Sequence, residues 1–111
     1  TLQGAGVSVD DVDYFIFHQS NQYIIKHICS KKSLPVAKVP IILKEFGNTG
    51  GPSVPLTFTE GELVRPADRA LRLLLLGYGV GLSWGSALVE LDPRASLERV
   101  QLDNTANGAS A

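Results

Sequence analysis

The sequence predicts a mixed α/β layer, and three observations carry that prediction. Tyr14-Phe15-Ile16-Phe17 and Leu73-Leu74-Leu75-Leu76 are unbroken apolar runs bounded by polar residues or glycine, the pattern of strands buried on both faces. Between them, from Asn21 to about Lys32, the pattern switches to a helical period. Ile24 with Ile28 and Ile25 with Cys29 share one face, while Gln22, Lys26 and Ser30 lie opposite. Finally, the chain offers two apolar helices for about four strands, too few to cover both sides of a sheet. The missing cover is expected from another domain or chain. The sequence contains no methionine and starts at Thr1, so it is expected to be either processed or a segment of something longer, and the segment is favoured.

The elements follow in order. Ser8 to Asp13 reads as a short capped turn, with Asp11 three residues after Ser8. Tyr14 to Phe17 is a strand that runs into His18-Gln19-Ser20-Asn21. Ser20 or Asn21 is the N-cap of the helix that follows, and Lys31 and Lys32 suit its negative end. Leu34-Pro35 closes it. Val39 to Phe46 is expected to form a second strand interrupted by Pro40, ending at the turn Gly47-Asn48-Thr49-Gly50-Gly51. A second helix over about 52–63 accommodates Pro52 and Pro55 in its first turn. Gly61 weakens its end. Arg72–Leu76 and Leu82–Leu91 are strands joined by Gly77-Tyr78-Gly79-Val80-Gly81. The main unit is thus expected over 1–91. Residues 92–111 read as a mobile tail with one weak helical turn around Leu97 to Leu102.

Composition narrows the classes. At 111 residues, with 44% hydrophobic and 19% charged residues, the chain is one small globular unit. A net charge of −1 gives no global attraction to nucleic acid or anionic membrane, so any anion site is a local patch. No apolar run reaches the roughly 20 residues that span a bilayer, and the N-terminus lacks the features of a signal peptide. The single cysteine, Cys29, excludes an intrachain disulfide and suits a reducing cytoplasm. Two histidines and one cysteine at these spacings do not make a metal site.

Two polar clusters sit directly after predicted strands, His18-Gln19-Ser20-Asn21 and Gly47-Asn48-Thr49. In open α/β sheets ligands bind beyond the carboxyl ends of strands. His18 and Asn48 could point into one crevice there, and both can donate hydrogen bonds to an oxygen that becomes negative in a transition state. The glycines around Asn48 would let backbone and substrate approach closely. On pattern alone, however, a lone histidine after a strand is more often structural, and the FGNTGG run is simply a turn made of the residues turns prefer.

Three segments taken in this order, VDYFIFHQSN, FGNTGGPSVPL and LLLGYGVGLSWGSALVEL, resemble the C-terminal third of the β-ketoacyl-acyl-carrier-protein synthase III family. HQSN stands close to that family's HQAN and GNTGGPS to its GNTSAAS. His18 and Asn48 also have the family's separation, 30 positions. The resemblance runs from about Val7 to Leu91. It implies the C-terminal part of a thiolase-like fold, a mixed sheet packed with helices, and a Cys-His-Asn catalytic set. In that chemistry a cysteine takes an acyl group from a thioester, and a malonyl thioester then loses carbon dioxide to give the carbanion that attacks it. His18 and Asn48 match the residues that bind the thioester oxygen as enolate charge develops.

The resemblance further implies that a backbone N–H near Val80 is one donor of the acyl oxyanion hole, although the family usually has glycine there. Asn21, the last residue of HQSN, would help shape the pantetheine channel; the alternative is that it caps the helix. Lys26, Lys31 and Lys32, with His27, would help dock an acidic acyl carrier protein; the alternative is a solvated helix face, and Tyr23 replaces an arginine common in the family. No cofactor is implied, only coenzyme A or phosphopantetheine thioesters as substrates, and the complete family members usually dimerise. Cys29 sits mid-helix on the isoleucine face, where a free cysteine behaves as a small hydrophobe, so the nucleophile is expected outside this chain and the segment alone is expected to be inactive in condensation. Two other functions remain open: a non-catalytic partner subunit of a thiolase-fold complex, and another thiolase-fold enzyme such as a hydroxymethylglutaryl-coenzyme A synthase.

Overall fold

A computed structural model describes residues 2–79 and 83–100. After a short helix α1 (Leu2–Ala5) and a 3-10 turn over Val9–Asp11, strand β1 (Tyr14–Phe17) enters the centre of the molecule. Ser8 caps the 3-10 turn: Asp11 accepts hydrogen bonds from both the backbone N–H and the hydroxyl of Ser8. Next come helix α2 (Gln22–Lys31), a 3-10 turn over Val36–Lys38, a single-turn helix α3 (Leu43–Phe46) and helix α4 (Ser53–Glu60). Strands β2 (Leu71–Gly79) and β3 (Ser83–Leu91) complete a sheet of order β1-β2-β3. β1 runs parallel to β2 with Phe15 beside Leu74, and β2 runs antiparallel to β3 with Leu74 beside Leu88.

The alternation of side chains along β1 separates two layers of helix. Phe15 and Phe17 join Val12, Leu74 and Val39 in a core closed by Ile25 and Cys29 of α2. The other face receives α4, which packs on β1 and β2 and contributes the buried Ser53 and Thr57. Phe15, Ile16, Phe17, Ile25 and Leu73 are at most 1% exposed, and each such side chain contributes on the order of 2 kcal/mol. Asp13 ties the entrance of β1 to that of β2. Its carboxylate accepts two hydrogen bonds from the Arg69 guanidinium, at 2.9 and 2.8 Å, and one from the Arg72 backbone N–H at 2.8 Å. The hydrogen bonds from Arg69, aided by that backbone N–H, hold the Asp13 carboxyl below the usual aspartate range.

Several expectations are corrected. The strand expected over Val39–Phe46 does not form. Pro40 has no N–H to give to a ladder, the Ile42 N–H goes to the Gln19 side chain, and Leu43–Phe46 coils into α3. The sheet therefore has three strands among the described residues rather than four. Gly77-Tyr78-Gly79 is not a connector but the end of β2, paired with Gly85, Trp84 and Ser83. Burial on both faces holds for β1 but not for β3, whose residues are exposed or half-buried. α2 and α4 reach over β1 and β2; of β3, Leu88 packs against the core while Trp84 is 81% exposed. Of the helical turn expected around Leu97 to Leu102, residues 101 and 102 lie outside the described residues, and residues 97–100 carry none. The backbone around them is held by Arg65, which donates to the Asp92 and Ala95 carbonyls, and by Arg99, which lies over the Phe46 ring and pairs with Glu60.

Candidate catalytic site

The site begins where β1 ends. The His18 N–H donates to the Leu76 carbonyl at 2.8 Å, prolonging the parallel ladder by one residue, and the chain then turns as the Ser20 N–H donates to the His18 carbonyl at 2.9 Å. Gln19 makes this turn rigid. Its side chain is fully buried. Its amide donates to the Phe17 carbonyl at 2.9 Å and the Pro40 carbonyl at 3.4 Å, and its oxygen accepts from the Ile42 N–H at 3.0 Å. One buried carboxamide thus substitutes for the ladder that the Pro40 segment cannot make.

The imidazole of His18 is held from two sides. Nδ1 lies 2.6 Å from the Ser53 hydroxyl at the start of α4, and that same oxygen accepts the Gln19 N–H at 3.2 Å. The Tyr78 ring meets the imidazole edge to face, 5.4 Å between centroids and 73° between planes. The Tyr78 hydroxyl lies 2.6 Å from the Ser20 hydroxyl and donates to the His18 carbonyl at 3.5 Å. A half-open cleft of about 330 Å³ lies against these groups, walled by His18, Ser53, Val54, Tyr78 and glycines of the Gly50-Gly51 turn and of β2.

Asn48 is placed differently. Its side chain is exposed, and its Oδ1 accepts the Gly50 N–H at 3.0 Å in an Asx turn. The turn requires glycine on both sides, since Gly47 and Gly50 have φ of 66° and 73°. Gly50 and Gly51 reach the cleft that His18 lines, whereas Asn48 does not. Beside it, the Thr49 hydroxyl is buried without a hydrogen-bond partner among the described residues.

The other candidates also find places. Asn21 is the N-cap of α2, its Oδ1 accepting from the Tyr23 N–H at 2.8 Å and the Ile24 N–H at 3.3 Å. Lys26 and Lys31 on α2 and Lys32 at its C-cap are exposed, and Tyr23 stacks on His27 at 6.3 Å between centroids. Cys29 is buried, and desolvation raises its thiol pKa, which disfavours the nucleophilic thiolate. It lines a separate apolar cavity of about 430 Å³ with Ile25, Leu34, Val36 and Val39. Val80 lies outside the described residues. Among the described residues no group of three or more His, Cys, Asp or Glu could hold a metal ion, and no helix is long and apolar enough to cross a membrane.

Gln19, Ser53 and Tyr78 carry the geometry around His18, yet none stood out as a functional residue in the sequence. Gln19 and Ser53 are 34 positions apart, and no local pattern signals a contact of that range. Tyr78 was recognisable only as the one large residue in a run of glycines.

Comparison with known proteins agrees with this architecture. Residues 2–91 match the family model described as 3-oxoacyl-[acyl-carrier-protein (ACP)] synthase III C terminal. The β-ketoacyl-[acyl-carrier-protein] synthase III of Acholeplasma laidlawii is 36% identical over 90 residues, which make up 81% of this chain and 28% of that protein. The crystal structure of a 3-oxoacyl-(acyl-carrier protein) synthase from Burkholderia xenovorans superposes with a TM-score of 0.77 at 41% identity, over 84% of this chain and 27% of that one. The synthase III from Pseudomonas aeruginosa gives 0.74 at 30% identity, over 82% and 29%. The helix-flanked mixed sheet is therefore part of a thiolase-type α/β fold. Within that class the chain belongs to the 3-oxoacyl-[acyl-carrier-protein] synthase III family and matches its C-terminal segment. It spans less than a third of the length of the curated relatives it matches.

Proposed function

We propose that this chain supplies the histidine–asparagine half of a decarboxylative condensing site. A cysteine from outside these 111 residues takes the acyl group of a coenzyme A or carrier-protein thioester. A malonyl thioester then loses carbon dioxide, the electrons of the broken C–C bond pass into the enolate, and the enolate carbon attacks the acyl-cysteine carbonyl, whose C–S bond breaks to release the cysteine thiolate. His18 and Asn48 donate hydrogen bonds to the thioester oxygen as it becomes negative. The observation that carries this reading is the His18 imidazole, fixed against the cleft at the carboxyl end of β1 through its Nδ1 contact with Ser53. A rigid ring with its second nitrogen available is what oxyanion stabilisation requires.

On the same reading a main-chain N–H near Val80 serves the acyl oxyanion, and Asn21 shapes the pantetheine channel while its oxygen stays in the helix cap. The exposed Lys26, Lys31 and Lys32 meet the acidic carrier protein. The reaction proceeds in the cytoplasm of the source cell, within a homodimer, and needs no cofactor.

The test uses the full-length protein. His18→Ala and Asn48→Ala are each expected to abolish release of labelled carbon dioxide from a malonyl thioester while cysteine still accepts acyl label. Loss of acylation with decarboxylation intact would reverse the assigned roles. No decarboxylation by the wild-type protein would bring the partner-subunit reading forward.

A further inference from the structure

The hydroxyl against His18 Nδ1 belongs to Ser53, the first residue of α4. The Ser53 side chain is 0% exposed, so water cannot complete its bonding. A hydroxyl has one proton to give and two lone pairs to receive with. Among the described residues Ser53 Oγ has two partners, the Gln19 N–H at 3.2 Å and His18 Nδ1 at 2.6 Å. Gln19 can only donate, so it occupies one lone pair. The hydroxyl proton then has a single acceptor within reach, His18 Nδ1. Were Nδ1 to carry the ring proton instead, Ser53 would face two donors while its own buried proton had no acceptor, a costly arrangement.

We infer that Ser53 is a positioning residue that sets the tautomer of His18, holding neutral imidazole with its proton on Nε2, directed away from Ser53. The inference deepens the condensing-site reading and rests on it for its catalytic meaning. Nε2–H is a donor for an enolate oxygen, whereas the opposite tautomer would present a lone pair to a developing negative charge. The fully buried Gln19 completes the device. Its N–H fills one lone pair of Ser53, and by bridging to Pro40 and Ile42 its side chain fixes the backbone from which His18 projects.

The experiment is a two-dimensional NMR spectrum of the full-length protein labelled with ¹⁵N-histidine, recorded at about pH 8, where an ordinary imidazole is neutral. The wild-type His18 signal, assigned by its loss in His18→Ala, is expected to show protonated Nε2 and unprotonated Nδ1. Ser53→Ala should raise the Nδ1–H population severalfold, and Ser53→Thr should restore the wild-type pattern. In the decarboxylation assay Ser53→Ala should lower kcat about tenfold with KM for the malonyl thioester unchanged. A wild-type ring protonated on Nδ1 would overturn the inference, and that spectrum decides even if Ser53→Ala fails to fold. So would a Ser53→Ala spectrum identical to wild type, or an unchanged kcat where His18→Ala has none. If His18→Ala keeps full decarboxylation, it is the condensing-site reading that fails; the substrate-free spectrum still decides the tautomer separately.

Discussion

His18 and Asn48 are proposed to serve the same oxygen, yet the chain builds them in opposite ways. His18 stands at the end of a strand whose last three residues are at most 1% exposed, beside the fully buried Gln19 and Ser53. Its ring is gripped by a hydroxyl and by an aromatic edge. Asn48 stands on an exposed glycine turn, with its carboxamide oxygen spent on a local bond to Gly50 and the neighbouring Thr49 hydroxyl without a partner among the described residues. Within this chain one arm of the site is preorganised and the other is shaped only by its own turn. The difference shows where the rigidity of such a site comes from: hydrogen bonds between distant segments orient a side chain, whereas bonds between neighbours merely shape a loop.

The most direct way to break the comparison is to remove each arm in the full-length protein. His18→Ala and Asn48→Ala should each abolish measurable malonyl decarboxylation, a fall in kcat of at least about 10²–10³. Their effects on stability should separate them. His18→Ala leaves the Ser53 hydroxyl without its acceptor and should cost about 1 kcal/mol. Asn48→Ala removes only an exposed turn contact and should stay within about 0.5 kcal/mol. Equal destabilisation in chemical denaturation would mean that Asn48 is buried by groups outside these residues and that the contrast belongs to the segment alone.

Gln19 sharpens the point next. Gln19→Leu keeps the volume but leaves the Ile42 N–H without its acceptor and the Pro40 carbonyl without that donor. We expect a loss of about 3 kcal/mol in unfolding free energy. A loss under about 1 kcal/mol would show that the turn after β1 is held by packing instead.

Asp13 tests the other end of β1. Asp13→Asn should cost about 0.5–1 kcal/mol at neutral pH, because the solvent-screened, charge-assisted bonds from the exposed Arg69 weaken. The pH dependence has a definite sign. The folded-state pKa of Asp13 is depressed, so its contribution is fully present above the unfolded aspartate value of about 3.9. It is lost as pH falls through the lower folded value. The wild type should therefore lose stability over that acid window more steeply than Asp13→Asn. Parallel acid limbs in thermal unfolding would contradict this.

What could be read from the sequence divides along the same line between local and distant interactions. β1, α2 and the Ser8 turn were legible because each is written in neighbouring residues, as an apolar run, a helical period or a cap. The family was legible for the same reason, since HQSN and GNTGGPS are contiguous. The strand expected over Val39–Phe46 was misread because its apolar residues suited a ladder whose partner, the Gln19 side chain, lies 23 positions away from Ile42. Gly77 and Gly79 resembled a connector because glycine usually punctuates strands, whereas here β3 continues the pairing through Gly85. Ser53 could not be found at all: its meaning depends on where α4 starts relative to His18, which only the fold defines.

The smallest effect concerns Asn21, where the sequence left two roles open. As an N-cap, its oxygen satisfies the Tyr23 and Ile24 N–H groups, and Asn21→Ala should cost about 1 kcal/mol of stability. Asn21→Asp keeps the cap acceptor and adds a negative charge at the positive end of α2, so stability should hold or rise slightly. The two variants then separate cap from channel. If Asn21 only caps, decarboxylation by Asn21→Asp should match wild type, because the acceptor oxygen is retained. If its amide nitrogen also faces the pantetheine arm, Asn21→Asp should raise KM for the malonyl thioester while leaving stability intact. A raised KM in Asn21→Ala alone, tracking its loss of stability, would reduce Asn21 to a cap that holds α2 in place behind His18.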